Sequence, residues 1–187
     1  MYSTNLLGRL AGRLDPDPRP RPEPGDRLAA VLVPVIAGRS LVFTKRAETL
    51  SRHAGEISFP GGLRHDEDAT VGDVALRETE EELGVERWRV EVLGALPAVH
   101  TFVSGILVVP FVGALAERPS FRPNPSEIAE ILEYRIDDLA AAEAGVRWSR
   151  EGHEYVGYAY DMGEHTIWGA TAWILHTFLD AVRTGGE

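Results

Sequence analysis

The sequence predicts an α/β (α+β) fold, a mixed β-sheet held between helices as an α/β/α sandwich. Three observations carry that expectation. Apolar runs of strand length recur through most of the chain. Residues 70–83 and 170–183 instead keep the 3–4 residue apolar spacing of amphipathic helices. No repeat or second domain boundary follows the proline-rich segment, so strands and helices must share one core. The chain has 187 residues, 44 % of them apolar, which suits one domain.

Residues 3–14 read as a short helix packing on the body, with Leu6, Leu7, Leu10 and Leu14 at helical spacing. Asp15-Pro-Asp-Pro-Arg-Pro-Arg-Pro-Glu-Pro24 follows. Proline at every second position forbids helix and favours a stiff polyproline II connector. Binding of an adaptor through this segment is the alternative. Residues 1–24 thus read as helix and connector, and 25–187 as the main domain. Leu28–Ile36 and Leu41–Thr44, separated by Ala37-Gly-Arg-Ser40, predict a hairpin. Residues 45–68 read as a long loop with a short apolar stop at Ile57-Ser-Phe59. Thr70 with Asp73 can form a capping box for the helix over 70–83. Asp68 competes as cap, and Gly84 suits the C-terminus.

Strands follow at about Arg89–Ala98 and Gly105–Leu115. Prolines make Arg118–Ser126 a loop. Ile128–Ile136 reads as strand, residues near 137–143 as a short helix, and Gly145–Trp168 as β-rich with a turn near Met162-Gly163. The last element is a helix over about Ala170–Arg183, with Trp173, Ile174 and Phe178 among its apolar residues.

Composition removes several classes of function. The chain has no cysteine, which excludes disulfides, thiolate metal sites and cysteine nucleophiles. No apolar run approaches the roughly 18 residues of a membrane span. The expected setting is therefore cytoplasmic, without a membrane partner. The net charge of −10 disfavours long nucleic acid but not a small anionic substrate, since bound Mg²⁺ and a few cations can invert the sign locally.

Arg77-Glu-Thr-Glu-Glu-Glu-Leu-Gly84 closes the helix over 70–83. At about 100° per residue, Gly72, Leu76, Thr79 and Leu83, with Ala75, make the buried face. Glu78 and Glu82 lie about 40° apart on another face, and Glu81 about 60° beyond Glu78. Glu80 points away and reads as a surface residue. Like charges at this spacing repel, and a hard divalent cation offsets that. Arg77, four residues before Glu81, can hold that carboxylate. Phe59-Pro-Gly-Gly62 reads as a tight turn, where glycine lets a backbone carbonyl approach a metal. Lys45, Arg46, Arg52, His53, Arg64 and His65 concentrate cations in one stretch, suited to phosphates.

Gly62…Arg77-Glu78-Thr79-Glu80-Glu81-Glu82-Leu83-Gly84-Val85 resembles the Nudix box, Gx5Ex7REUxEExGU. Thr79 stands where the family usually has an aliphatic residue. With a one-residue insertion, Asp68 falls near the first Glu, an acid of mainly structural role. Leu41-Val-Phe-Thr-Lys-Arg-Ala-Glu-Thr-Leu-Ser-Arg-His-Ala-Gly-Glu-Ile-Ser-Phe-Pro-Gly-Gly62 is similar to the motif LLTxRSxxLxxHxGxxSFPGG of the coenzyme A pyrophosphatase branch. Ser104–Gly113 and Ile167–Ala172 extend that likeness.

The resemblance implies a Nudix-type sandwich and Mg²⁺- or Mn²⁺-dependent cleavage of coenzyme A and its thioesters to 3′,5′-ADP and 4′-phosphopantetheine. Glu78, Glu81 and Glu82 map onto the metal-binding glutamates, and a carbonyl of Gly61 or Gly62 onto the backbone ligand. Arg77, Glu81 and Glu82 carry the catalytic assignment. Glu127 is the candidate for a further base or ligand from a later loop, with Glu130 behind it. Lys45, Arg46, Arg52 and His53 are the candidate substrate contacts. Phe59 and Phe102 stack on adenine or pack in the core, and His176 reads as packing or surface. The expected partner is a small molecule, and the state monomer or homodimer. Alternatives are another substrate, such as ADP-ribose, NADH or a dinucleotide polyphosphate, and a non-catalytic ligand sensor.

Overall fold

The computed structural model describes residues 6–49, 54–101, 105–150 and 153–184. The long apolar strand β1 (Arg27–Ile36) organises the main sheet. It runs parallel to β7 (Ile106–Leu115) from Arg27↔Ile106 to Ile36↔Leu115. The predicted hairpin pairs it antiparallel with β2 (Ser40–Arg46). Strands β3 (Ile57–Ser58) and β8 (Ile128–Arg135) pair with β2. β4 (Gly61–Leu63) pairs with β1, and β5 (Glu91–Ala95) and β6 (Val99–Thr101) pair with β7. The result is a mixed sheet of eight strands. A second, antiparallel sheet holds β9 (Glu143–Arg150), β10 (His153–Asp161) and β11 (Thr166–Ile167).

Side chains alternate across a strand, so the main sheet has two apolar faces. Ala30, Leu32, Val42, Val109 and Phe111 face α2 (Val71–Leu83), whose Val74, Ala75 and Leu83 complete one core cluster. Val33, Val35, Leu41, Phe43 and Leu132 face the other way, towards α1 (Leu6–Ala11) and α4 (Gly169–Arg183). The short α3 (Ile136–Ala142) leads into β9. The expected α/β/α sandwich is what forms. No helix among the described residues is long and apolar enough to cross a membrane.

Several boundaries differ from expectation. The strand expected over 89–98 becomes a 3₁₀ turn at Arg87–Arg89, then β5, then a break at 96–98 before β6. Pro97 lacks the N–H that would continue the ladder, and the register already shifts between Val92 and Gly94. The Phe59–Gly62 stretch is not a free turn, because Gly61–Leu63 joins β1 as a strand.

Residues 6–14 belong to the core, since Leu6, Leu10 and Leu14 are all buried. Arg13 donates to the Thr184 hydroxyl at 2.6 Å and carbonyl at 2.7 Å, tying α1 to the end of α4. Asp15 and Ala95 exchange two backbone hydrogen bonds of 2.9 and 2.8 Å, so the proline segment is anchored where it begins. Leu10→Ala is therefore expected to cost about 3 kcal/mol, on the order of 10 °C in Tm. A thermal melt checks it, and an unchanged Tm would mean that α1 is not part of the cooperative unit.

Candidate active site

The helix that carries the glutamates is closed at both ends by local chemistry. The Thr70 hydroxyl accepts the Asp73 N–H at 3.1 Å, and the Asp73 carboxylate accepts the Thr70 N–H at 3.0 Å. Gly84 takes φ 67° and donates its N–H to the Glu80 carbonyl at 2.9 Å. Helices leave their last carbonyls unpaired. Here the following loop pairs two of them: Arg122 donates its N–H to Leu83 at 2.8 Å and Asn124 to Glu82 at 3.1 Å. That docking brings Glu127 close enough for its charge to act on the Glu82 carboxyl. Asn124, read from sequence only as loop, donates its side-chain amide to Glu127 at 3.3 Å and accepts the Ser126 hydroxyl at 2.7 Å. The signal for it was the turn-forming Asn-Pro-Ser.

Asp68 is not a helix cap. Its carboxylate takes Arg77 in a fork, Nε to Oδ1 at 3.0 Å and Nη2 to Oδ2 at 3.1 Å, and accepts the His65 N–H at 2.8 Å. The guanidinium holds Asp68 below the usual carboxylate range. Arg77 also donates to Glu78 at 2.8 Å, to Glu81 at 3.3 Å and to the Leu63 carbonyl at 3.2 Å. One cation thus orients two of the three expected ligands and ties α2 to β4. Thr79 fits its buried position because its hydroxyl donates to the Ala75 carbonyl at 2.7 Å.

Glu82 differs from expectation. The helical wheel set it apart from the buried face, yet it is only 3 % exposed. β4 passes beneath it, and the Gly61 N–H donates to its Oε2 at 3.3 Å. Burial pushes its carboxyl up to about 8, and the charges of Glu78 and Glu127 add to this, while the Gly61 N–H and the Arg46 charge oppose it. Burial also raises Glu78, against the pull of Arg77. Glu81 and Glu80 are exposed, Glu80 reaching Arg87 at 3.5 Å.

The ladder separates the two glycines. Leu32 donates to the Pro60 carbonyl at 2.8 Å and Arg64 to the Leu28 carbonyl at 2.9 Å, on either side of the Ala30↔Gly62 pair. Antiparallel pairs alternate, so Gly62 spends its carbonyl on Ala30. Gly61, opposite Val31, turns its polar groups away from β1 towards Glu82. Only Gly61 of the two expected glycines can offer a carbonyl. Gly62 matters otherwise: a Cβ there would run into the Glu78 carboxylate. A Cβ on Gly61 would press on Ala30 and, at 2.6 Å, on the Val31 Cα.

The residues fit a divalent cation by their donor chemistry. Two partly or fully desolvated carboxylates, Glu78 and Glu82, flank a glycine strand whose Gly61 carbonyl has no ladder partner among the described residues. Among the described residues, no three His, Asp or Glu side chains already converge as a cation cluster. Glu78 and Glu81 are instead turned to Arg77.

The remaining expected residues divide. Arg46 lies near Glu82, and its Nε is buried with no hydrogen-bond partner among the described residues. Lys45, one residue away on the strand, alternates to the opposite face and pairs in register with Glu130, so it is not beside the glutamates. Glu130 meets His165 at 3.2 Å. Arg52, His53, Phe102 and Ser104 fall outside the described residues. Arg64 donates to the Asp68 carbonyl at 3.4 Å. Phe59 is buried and stacked on Phe43 at 4.6 Å, a core role. His176 stacks on Tyr158 at 3.6 Å and meets Glu143 at 3.3 Å, which is packing as expected.

A family model described as NUDIX domain matches residues 26–156. The chain is 35 % identical over 184 residues to "Uncharacterized Nudix hydrolase NudL" of Photorhabdus laumondii, covering 96 % of this chain and 97 % of that one. It is 37 % identical over 161 residues to "Nudix hydrolase 22, chloroplastic" of Arabidopsis thaliana, covering 79 % of this chain and 52 % of that one. Among solved structures, the MutT protein from Methanosarcina mazei Go1 superposes with a TM-score of 0.60 at 13 % identity, over 91 % of this chain and 100 % of that one. That likeness concerns the fold alone.

Proposed function

The chain belongs to the Nudix hydrolase family, which acts on nucleoside diphosphate derivatives and generally uses a divalent metal, and from that premise we propose that it hydrolyses the diphosphate bond of coenzyme A and its thioesters. The observation that carries the hydrolase chemistry is the buried carboxylate of Glu82, set beside Glu78 and against the Gly61 strand. The likeness of residues 41–62 to the coenzyme A branch motif supports the choice of substrate.

Glu78, Glu81, Glu82 and the Gly61 carbonyl are the groups that would hold Mg²⁺ or Mn²⁺. When bound, such a cation neutralises diphosphate charge and makes a water more acidic. The chain's own residues do the rest. Arg46 presents a buried Nε donor with no acceptor among the described residues, and a phosphate oxygen of the substrate would supply one. Arg77 keeps Glu78 and Glu81 in place through its bond to Asp68, and so acts as a positioning residue. Glu127, bonded to Asn124 and near enough for its charge to act on Glu82, is the group that would accept a proton from the attacking water.

The test is incubation of the protein with coenzyme A and Mg²⁺ or Mn²⁺, with identification of 3′,5′-ADP and 4′-phosphopantetheine. Turnover of ADP-ribose, NADH or a dinucleotide polyphosphate with none of coenzyme A would move the substrate. No turnover of any of them would sink the hydrolase reading. Arg46→Ala is expected to raise KM for coenzyme A about tenfold, because a charge-assisted hydrogen bond is lost.

A further inference from the structure

Strand β9 is an edge. It pairs with β10 on one side, and among the described residues no strand pairs with its other side. The ladder to β10 runs without a bulge from Glu143↔Tyr160 to Arg150↔His153. β9 holds no proline and no lysine. An edge strand presents a row of N–H and C=O groups, and proteins blunt such edges with bulges, prolines or lysines. β9 carries none of these, so its outer side is open to another strand.

A hollow of about 280 Å³ adjoins that edge, lined by Gly145, Arg147, Val156, Tyr158 and Trp173. Side chains alternate across a strand, so Glu143, Gly145 and Arg147 share one face of β9. Their partners on β10 are Tyr160, Tyr158 and Val156. This is the face on which α4 packs, since Trp173 meets Tyr158 with ring centroids 5.5 Å apart and His176 meets Glu143 at 3.3 Å. At Gly145 the face is bare: an added Cβ would meet no atom within 4 Å. Beside it Trp173 stays 43 % exposed and Val156 63 %.

The charges on this face select the occupant. Two copies of one strand can pair antiparallel about a twofold axis, and every contact then occurs twice. Residues directly opposite each other point to the same face. With the axis at Gly145, Arg147 of each copy stands directly opposite Glu143 of the other. An axis at Arg147 would set two like charges against each other, and one at Val146 would leave Arg147 opposite a glycine. Glu143 is held in place by the Tyr160 hydroxyl at 2.9 Å and Arg183 at 3.0 Å. Arg147 is exposed and has no hydrogen bond or ion pair among the described residues. At the centre the two bare glycines meet, which leaves room for Tyr158 and Trp173 of both copies to close over them. An apolar centre with a charged rim is the usual anatomy of a protein interface.

We propose that this edge binds a second copy of the chain, β9 pairing with β9 antiparallel about a twofold axis at Gly145. The two three-stranded sheets then join into one, and an Arg147–Glu143 pair on each side of the axis fixes the register.

Sedimentation velocity and a single-cysteine variant test this. Wild type at about 100 µM should sediment as a dimer. Arg147→Glu places like charges opposite each other twice and should raise the dimer Kd at least about tenfold. The fold of each copy should be unaffected, since Arg147 is exposed. The chain has no cysteine, so Gly145→Cys introduces one thiol, at a position with room for its Cβ. Directly opposite Cβ atoms lie roughly 4.5–5.5 Å apart, close to the span of a disulfide. Mild oxidation should therefore link Gly145→Cys into a covalent dimer, and leave Ser149→Cys, on the same face but away from the axis, mostly unlinked. A wild type that is monomeric at about 100 µM would overturn the proposal. So would an Arg147→Glu variant with unchanged Kd, or Ser149→Cys linking as readily as Gly145→Cys.

Discussion

Glu82→Gln is expected to lower kcat/KM by at least ~10³-fold, the scale of losing a dominant electrostatic contribution, and to stabilise the metal-free protein at alkaline pH. Both effects have one cause. The Glu82 carboxyl is buried, close to Glu78, and pushed up to about 8. Its folded-state value lies above the 4.5 of an ordinary glutamate, so ionisation opposes folding. Below about pH 4.5 the group is protonated in both states and the variant gains nothing. As pH rises to about 8 the wild type loses stability progressively, and above that the difference is full, on the order of a few kcal/mol. Thermal melts in chelator at pH 5 and pH 9 read the difference directly. Equal melting shifts at the two pH values would mean that the carboxyl is not held desolvated. A variant that still turns over at the full rate would remove Glu82 from the chemistry. Metal should counter the penalty, with affinity rising across the same window, because a ligating carboxylate must be ionised.

Arg77→Ala should destabilise the protein by roughly 3–5 kcal/mol, the cost of leaving a buried charge without its partner. The Asp68 side chain is 5 % exposed and Arg77 supplies both of its fork bonds. Glu78 would lose its 2.8 Å ion pair. Urea unfolding measures the stability. Removing Asp68 as well should recover part of the loss, because no lone buried carboxylate then remains. A loss below about 1 kcal/mol for Arg77→Ala would show that the pair is solvated. Mn²⁺ affinity should fall about 10- to 100-fold in the Arg77 variant, as expected for a partner that orients ligands from behind. A pure stability loss with unchanged Mn²⁺ affinity would deny Arg77 that positioning role.

Much of this site was readable from short windows of sequence. Thr70 with Asp73 and Gly84 defined the glutamate helix within a residue, because caps act over three or four positions. Strand β8, helix α4 and the β1–β2 hairpin came from apolar period in the same way. Other features needed neighbours that a window does not contain. The first strand pair was expected to end at Thr44, whereas β2 runs to Arg46. That extension sends Lys45 to one face and Arg46 to the other, so two adjacent cations that looked equivalent are not. The break at Pro97 was hidden by an apolar stretch that continues through it.

By itself the sequence determined the family, the layered fold, the glutamate helix and the set of carboxylates on it. Those follow from side-chain type and from spacing within a few residues. Only the tertiary structure decided which carboxylate is desolvated, which glycine keeps a free carbonyl, and that Asp68 serves Arg77 and not the helix end. Glu82 meets Gly61 across 21 positions, and Gly62 meets Ala30 across a ladder. Burial and hydrogen-bond parity are properties of such pairs. No local pattern holds them until β4 is laid beneath α2.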